Sequence, residues 1–240
     1  MRPSPMWAAS ILGEPVISAE RAPKRRVAIL ISGRGSNMTA LIAAAQAPDY
    51  PAEIALVLSN RPDAQGIAAA RAAGIATAIV DHTRFGKDRE AFEAALEHEL
   101  QARRIDIVCL AGFMRLLTPA LVSRWEGRML NVHPALLPSF KGLDTHARAL
   151  AAGVKVHGAT VHFVTPEMDS GPIIAQGEVA VRDDDTADTL AARVLAVEHE
   201  IYPRALRLVA EGRVRIVDGR CRIDGADAAG AKLGVPSVKT

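Results

Sequence analysis

The 240-residue chain is poor in the residues that mark several classes of protein. Its two cysteines, Cys109 and Cys221, are too few for a disulfide framework and fit a reducing compartment. No apolar run approaches the roughly 20 residues that a membrane-spanning helix needs, so we predict a cytoplasmic protein without a membrane partner. Its 29 basic and 27 acidic residues nearly cancel. This balance disfavours a nucleic-acid partner, because nucleic-acid-binding proteins usually carry a basic stripe.

What the sequence does contain is an alternation of short apolar runs with helical patterns. Hydrophobic residues make up 49% of the chain, enough for a packed core. The alternation predicts the α/β class, with a doubly wound, mostly parallel sheet built on strands near 27–32, 53–59, 77–80, 106–111 and 128–132. Two β-branched runs beyond residue 133, at 156–164 and 173–181, predict an antiparallel extension of that sheet. We therefore expect one domain over 24–225, a disordered extension at 1–23 and a flexible tail at 226–240.

A loop with two glycines, SGRGSN at 32–37, joins the first predicted strand to the first predicted helix. Glycine lets the backbone approach an anion closely, and the helix start supplies free N–H groups and a positive dipole end. Position 38 is Met38, so the third glycine of a dinucleotide fingerprint is missing. The second strand also ends without an acidic residue. The loop therefore favours a monophosphate over NAD, the alternative being a tight turn that binds nothing.

Asn131 and His133 flank Val132 at the end of the fifth predicted strand. Because side chains alternate along a strand, these two share one face. In acyl transfer, Asn131 could donate a hydrogen bond to an oxyanion, and His133 could transfer a proton near neutral pH. The alternative for His133 is a structural histidine whose hydrogen bonds are satisfied.

Asp169 lies in a turn, TPEMDSGP, between the two strands of the predicted extension. A carboxylate beside an imidazole favours the charged imidazolium, so Asp169 is a candidate partner of His133. The alternative is ordinary turn chemistry. His157 and His162 are five residues apart on one predicted strand and should face opposite sides, which makes a poor pair of metal ligands. No cysteine–histidine cluster has ligand spacing, and we predict no metal.

Several longer runs occur in one order along the chain: ISGRGSN at 31–37, LAGFMRLL at 110–117, NVHPALLP at 131–138, HGATVHFV at 157–164, DSGPII at 169–174 and EHEIYP at 198–203. In these runs the chain resembles the glycinamide ribonucleotide formyltransferases of purine synthesis. The resemblance covers about residues 26–220. It departs from the family pattern at Asp144, where Asn or His is commoner, and at Pro166 and Ser170.

The resemblance implies transfer of a formyl group from 10-formyltetrahydrofolate, the co-substrate, to the amine of 5-phosphoribosylglycinamide. It implies a catalytic trio of Asn131, His133 and Asp169. The ribonucleotide would be bound by Gly35, Ser36, Asn37, Leu195, Ala196, Val197 and Glu198. The folate would be bound by Arg89, Met114, Arg115, Leu116, Leu117, Asn131, Thr165, Pro166, Glu167, Met168 and Asp169. The partners would be small molecules, and the protein a monomer or homodimer.

Three other functions compete with this interpretation. A formyltetrahydrofolate deformylase would use the same trio but usually has a regulatory domain ahead of it, for which about 25 residues are too few. A methionyl-tRNA formyltransferase normally carries a further C-terminal β-barrel, for which we expect no room. A non-catalytic nucleotide-binding module would use the phosphate loop alone and would leave the trio without a purpose.

Overall fold

The structure is a computed structural model that describes residues 23–225. The predicted tail at 226–240 and all but the last residue of the predicted extension at 1–23 lie outside this range. The strands are β1 Arg25–Ile31, β2 Ala52–Ser59, β3 Thr77–Ile79, β4 Ile107–Leu110, β5 Met129–His133, β6 Val156–Phe163, β7 Ile173–Ala180, β8 Val214–Val217 and β9 Arg220–Ile223. The α-helices are α1 Ser36–Ala45, α2 Gln65–Ala72, α3 Arg89–Ala102, α4 Pro119–Arg124, α5 Thr145–Ala151 and α6 Ala187–Ala210.

Seven strands form one sheet in the order β3-β2-β1-β4-β5-β6-β7. The pairs from β3 to β5 are parallel, and β6 and β7 add on in antiparallel fashion. The predicted fold class is therefore confirmed, including the antiparallel extension after residue 133. The last two strands, β8 and β9, pair only with each other, as a hairpin around Asp218 and Gly219.

The sheet is covered by helices on both faces, which explains why β1 is apolar along nearly its whole length. Val27, Ile29 and Ile31 point to one face and pack in a core cluster with residues of α1, α2 and α6. Ala28 and Leu30 point to the other face and pack with residues of α3 and α4. The alternation follows from the two-residue period of a strand.

Local signals fix several element ends that matter for the site. Thr118 caps α4 through a hydrogen bond from the Leu121 N–H, with Pro119 at the first helical position. Thr186 and Thr189 form a capping box at the start of α6. Further along α6, the buried Tyr202 hydroxyl contacts the carbonyls of Leu110 and Leu130, 3.0 and 3.2 Å away, and so ties α6 to β4 and β5.

One short element was not predicted from the sequence, a 3₁₀ helix at His82–Phe85. The side chain of Asp81 caps it by accepting a hydrogen bond from the Thr83 N–H at 3.0 Å. Across residues 23–225, no helix has both the length and the apolar character required to cross a bilayer.

Candidate active site

A cavity of about 390 Å³ lies at the carboxyl ends of the parallel strands, between β1 and β4. In the sheet, β2 and β3 lie on one side of β1, and β4 and the later strands lie on the other. The loops after β1 and β4 therefore lead in opposite directions and leave a crevice between them. Sheet direction changes after His133, as predicted, but this cavity lies two strands away from that change. Its lining comprises Ser32, Gly33, Arg34, Gly35, Ser36, Asn37, Asn60, Arg61, His82, Ala111, Gly112, Met114 and Arg115.

The predicted phosphate loop forms one wall of this cavity. Gly35 precedes α1 with a φ of +74°, a conformation that glycine adopts without strain, and no side chain caps the helix. The first N–H groups of α1 are therefore available to an anion. Arg34, Arg61 and Arg115 also line the cavity, and its lining contains no acidic residue. The wall is thus suited to a phosphate.

Asn37 and Glu198 meet at the inner end of the loop. The Asn37 Nδ2 donates to the Glu198 Oε2 at 2.6 Å, and both residues are more than nine-tenths buried. Burial raises the pKa of the Glu198 carboxyl above its ordinary value. The Asn37 Oδ1 is also buried and accepts no hydrogen bond. This pair is therefore able to accept a hydrogen bond from a ligand hydroxyl next to a bound phosphate.

The other three candidate ribonucleotide residues differ in exposure. Val197 is buried and packs over Gly177 of β7, where an added Cβ would lie 2.3 Å from the Val197 Cγ1. Leu195 is half-buried, and Ala196 is exposed. Of the segment 195–198, only Glu198 therefore has a contact with the phosphate loop that the structure records.

The structure brings His133 and Asp169 together beyond the end of β5. The His133 Nδ1 is 3.5 Å from the Asp169 Oδ2, and both side chains are about nine-tenths buried. The His133 Nε2 is 2.9 Å from the Phe140 carbonyl oxygen, which can only accept, so this nitrogen carries a hydrogen. The Gly142 N–H donates to the Asp169 Oδ2 at 2.9 Å. Hence Nδ1 is the nitrogen of His133 that faces the carboxylate.

Asn131 is held by a residue that sequence reasoning did not assign to the site, His162. The antiparallel pairing of β5 with β6 sets Asn131 opposite His162, and the Asn131 Nδ2 lies 3.3 Å from the His162 Nε2. The His162 Nδ1 donates to the Phe163 carbonyl at 2.8 Å, so Nε2 is left as the acceptor. Burial lowers the pKa of His162, which favours this neutral form. His162 therefore orients the Asn131 amide and leaves it one free N–H.

The loop after His133 is fixed by the hydroxyl of Thr160, which lies opposite His133 on β6. This hydroxyl donates to the Ala135 carbonyl at 2.7 Å and accepts from the Leu137 N–H at 3.0 Å. The Thr145 hydroxyl donates to the Pro134 carbonyl at 2.7 Å. These hydrogen bonds therefore hold the loop together with Pro134 and Pro138, whose rings restrict the backbone.

Two loops carry most of the candidate folate residues. In the first, at 112–118, Met114 and Leu116 are about 70% exposed, and Arg89 of α3 donates to the Leu116 carbonyl. The second, at 164–172, carries the five candidates Thr165, Pro166, Glu167, Met168 and Asp169, and Met168 is 54% exposed. Leu117 and Val164, one from each loop, pack on the same core cluster. The exposed apolar side chains make these loops suitable to bind a flat, partly apolar ligand.

Besides His162, two further histidines, His146 and His157, lie near enough to His133 to feel its charge. The rings of His146 and His157 are 5.4 Å apart. Burial and the neighbouring His146 lower the pKa of His157 to about 4. Within residues 23–225, no group of three or more His, Cys, Asp or Glu side chains is arranged to hold a metal ion.

Known proteins match this chain over most of its length. The family described as "Formyl transferase" matches residues 25–206. The phosphoribosylglycinamide formyltransferase of Escherichia coli strain K12 is 45% identical over 83% of this chain and 93% of its own. The crystal structure of the phosphoribosylglycinamide formyltransferase from Brucella melitensis is 55% identical, with a TM-score of 0.75, and covers 80% of this chain and 98% of its own.

A larger relative, the trifunctional purine biosynthetic protein adenosine-3 of Bos taurus, is 50% identical over 80% of this chain. The chain spans about a fifth of the length of that protein. The matched residues include the phosphate loop, Asn131, His133 and Asp169. The chain therefore belongs to the formyl transferase family and groups there with the phosphoribosylglycinamide formyltransferases.

Proposed function

We propose that the protein transfers the formyl group of 10-formyltetrahydrofolate to the amine of 5-phosphoribosylglycinamide, giving the N-formyl product and tetrahydrofolate in de novo purine biosynthesis. One observation carries this proposal: Asn131 and His133 on β5 lie with Asp169 at the sheet edge that also carries a phosphate-type loop, the loop after β1. We further propose that the protein acts in the cytoplasm as a monomer or homodimer, without a metal.

The ribonucleotide binds at the loop after β1. Its phosphate accepts hydrogen bonds from the backbone at Gly35 and from the backbone and hydroxyl of Ser36. A ribose hydroxyl donates to the unpartnered Oδ1 of Asn37, next to Glu198. The candidate residues Leu195, Ala196 and Val197 support this arrangement by holding Glu198 in place on α6.

The formyl folate binds between the loops at 112–118 and 164–172. Met114, Leu116, Leu117 and Met168 offer apolar contacts, and Thr165, Pro166 and Glu167 shape the second loop. Arg89 and Arg115 are the cations available to the carboxylates of the folate tail, with opposite charge as the basis of recognition. Holding the two substrates close together in the reactive orientation can lower the activation free energy by about 7–11 kcal/mol.

The amine nitrogen attacks the formyl carbon, and the carbonyl oxygen becomes an oxyanion. The free N–H of Asn131 donates to that oxyanion, and the positive charge of protonated His133 stabilises it electrostatically. Asp169 stabilises the imidazolium and accepts the amine proton through water. The oxyanion then re-forms the carbonyl, and the bond between carbon and the folate nitrogen breaks as that nitrogen takes up the proton that Asp169 accepted from the amine.

The experiment follows formyl transfer spectroscopically from 10-formyltetrahydrofolate, with and without 5-phosphoribosylglycinamide. The proposal requires turnover that depends on the amine. Turnover without the amine would mean a deformylase. Binding of the ribonucleotide without turnover would mean a nucleotide-binding module.

A further inference from the structure

Helix α3 presents three side chains to the loop at 112–118. Arg89, Phe92 and Glu93 have the i, i+3, i+4 spacing that places residues on one face of a helix. Arg89 donates to the Leu116 carbonyl, and the Phe92 ring lies 6.0 Å below the guanidinium carbon of Arg115. Glu93 contacts the end of the loop. One turn of α3 therefore meets the loop at successive positions.

Glu93 makes the most extensive of these contacts. One carboxylate oxygen accepts from the Thr118 N–H at 2.6 Å, and the other accepts from the Thr118 hydroxyl. Thr118 in turn caps α4. Glu93 is only 6% exposed, so water does not readily replace these hydrogen bonds if the carboxylate is removed. The carboxylate thus fixes the point where the loop ends and α4 begins.

The loop has few other anchors in its middle. Met114 and Leu116 are directed into solvent, whereas Phe113 is buried. The Met114 N–H donates to the Ser32 hydroxyl at 2.8 Å, which fixes the start of the loop. The position of the backbone between residues 114 and 118 therefore depends on these polar anchors at its two ends, on Arg89, and on Leu117, which packs on the core.

We propose that Glu93 is a positioning residue for the formyl-folate co-substrate. By fixing Thr118, it holds the backbone of 114–117 in the conformation that receives the folate. The inference rests on the proposed function, because these loop residues are its folate-binding candidates. Without Glu93 the loop loses its polar anchor at Thr118 and becomes more mobile, so ordering the loop on binding costs entropy that weakens affinity for the folate.

The same helix supplies a matched control at Glu97. This residue lies one turn after Glu93, is 9% exposed, and accepts a hydrogen bond from the Trp125 Nε1 at 2.8 Å. It therefore ties α3 to α4 as Glu93 does, but it does not contact the 112–118 loop in any recorded hydrogen bond. Removing either carboxylate should destabilise the protein, and only removal of Glu93 should release the loop.

The experiment compares Glu93→Ala, Glu97→Ala and Glu93→Gln in full-length protein, with both KM values and kcat measured by formyl transfer. We expect Glu93→Ala to raise the KM for 10-formyltetrahydrofolate about tenfold and to change the KM for the ribonucleotide less than twofold. Glu97→Ala should leave both KM values within twofold of the wild type. Glu93→Gln keeps an oxygen that can accept from the Thr118 N–H and should restore part of the affinity.

Each outcome decides between the two proposals. An unchanged folate KM in a folded Glu93→Ala protein, or an equal rise in Glu97→Ala, would overturn the role of Glu93 and leave the proposed function intact. If Glu93→Ala does not fold, Glu93→Leu takes its place, because leucine keeps most of the side-chain volume but has no hydrogen-bond acceptor, and an unchanged folate KM in that variant has the same meaning. A wild-type protein without amine-dependent turnover would overturn the proposed function and, with it, this inference.

Discussion

Replacing Asp169 with Asn tests the charge of the carboxylate while changing little else. Asp169 has a φ of +51°, in the left-handed region that Asn tolerates better than most residues. The Asn side-chain oxygen can still accept the Gly142 N–H, which now donates to the Asp169 Oδ2 at 2.9 Å. The loop should therefore keep its conformation, while the negative charge beside His133 disappears.

The distance between the two groups sets the size of the effect. Unit charges separated by the 3.5 Å between the His133 Nδ1 and the Asp169 Oδ2 attract by about 5 kcal/mol at an effective dielectric constant of about 20. The amide dipole of Asn retains part of this attraction. We therefore expect the transition state to lose about 2.7 kcal/mol, which corresponds to about a hundredfold decrease in kcat.

The assay is the same spectroscopic measurement of formyl transfer, combined with thermal unfolding of each variant. Asp169→Asn should lower kcat with little change in melting temperature. The companion variant Asp169→Ala should also lower the melting temperature, because it loses the acceptor for Gly142 and places Ala at a strained φ. A decrease in kcat below tenfold for Asp169→Asn would refute the argument that this carboxylate stabilises a charged His133.

Three further predictions test other parts of the structure. Asn37→Ala leaves the buried Glu198 carboxylate without its 2.6 Å donor and should raise the KM for the ribonucleotide at least about tenfold, while the folate KM stays constant in steady-state kinetics. The fold lowers the pKa of His157 from 6.5 to about 4. As pH falls, His157 is therefore protonated in the unfolded chain before it is protonated in the folded protein, which favours unfolding. The melting temperature should thus drop between about pH 6.5 and pH 4, and His157→Leu should flatten that drop; an equally steep profile in the variant would contradict the assignment. Gly158→Ala would place a Cβ 2.0 Å from the Gly177 carbonyl oxygen, and urea unfolding should show a loss of about 3 kcal/mol or more, whereas wild-type stability would mean that β6 and β7 can separate at low cost.

The fold could be predicted from the sequence wherever one local pattern ran through a whole element. The sequence predicts a helix over 186–211, and α6 spans Ala187–Ala210, since its amphipathic pattern and its threonine cap agree. The 3₁₀ helix His82–Phe85 was missed because four residues show no periodicity and none of them is buried. Sheet order likewise depends on packing between distant elements, and the sequence indicated only its parallel and antiparallel parts.

The sequence predicted the parts of the candidate site that depend on a single element, but not the parts that depend on contacts between elements. The shared face of Asn131 and His133 follows from the period of one strand. The proximity of Asp169 to His133 does not follow from one element: the sequence offered Asp169 as a candidate partner with ordinary turn chemistry as the alternative, and the family resemblance favoured the partner. His162 was not recognised as a site residue, since its contact with Asn131 depends on the register of β5 against β6. The burial of Glu93 could not be predicted from the sequence either. A glutamate on an amphipathic helix is expected to face solvent unless its neighbours in space are known.

The position of β5 inside the sheet has a consequence for hydrogen exchange at the site. β5 is hydrogen-bonded along both edges, to β4 and to β6, so Asn131 and His133 lie on a strand whose amides should be among the slowest to exchange with solvent. Asp169 lies outside the strands, on the connection between β6 and β7. The amides of that connection should exchange faster than those of β5, because they are not part of the ladder of sheet hydrogen bonds. Hydrogen exchange should therefore divide the candidate site into a slowly exchanging half that carries Asn131 and His133 and a faster half that carries Asp169.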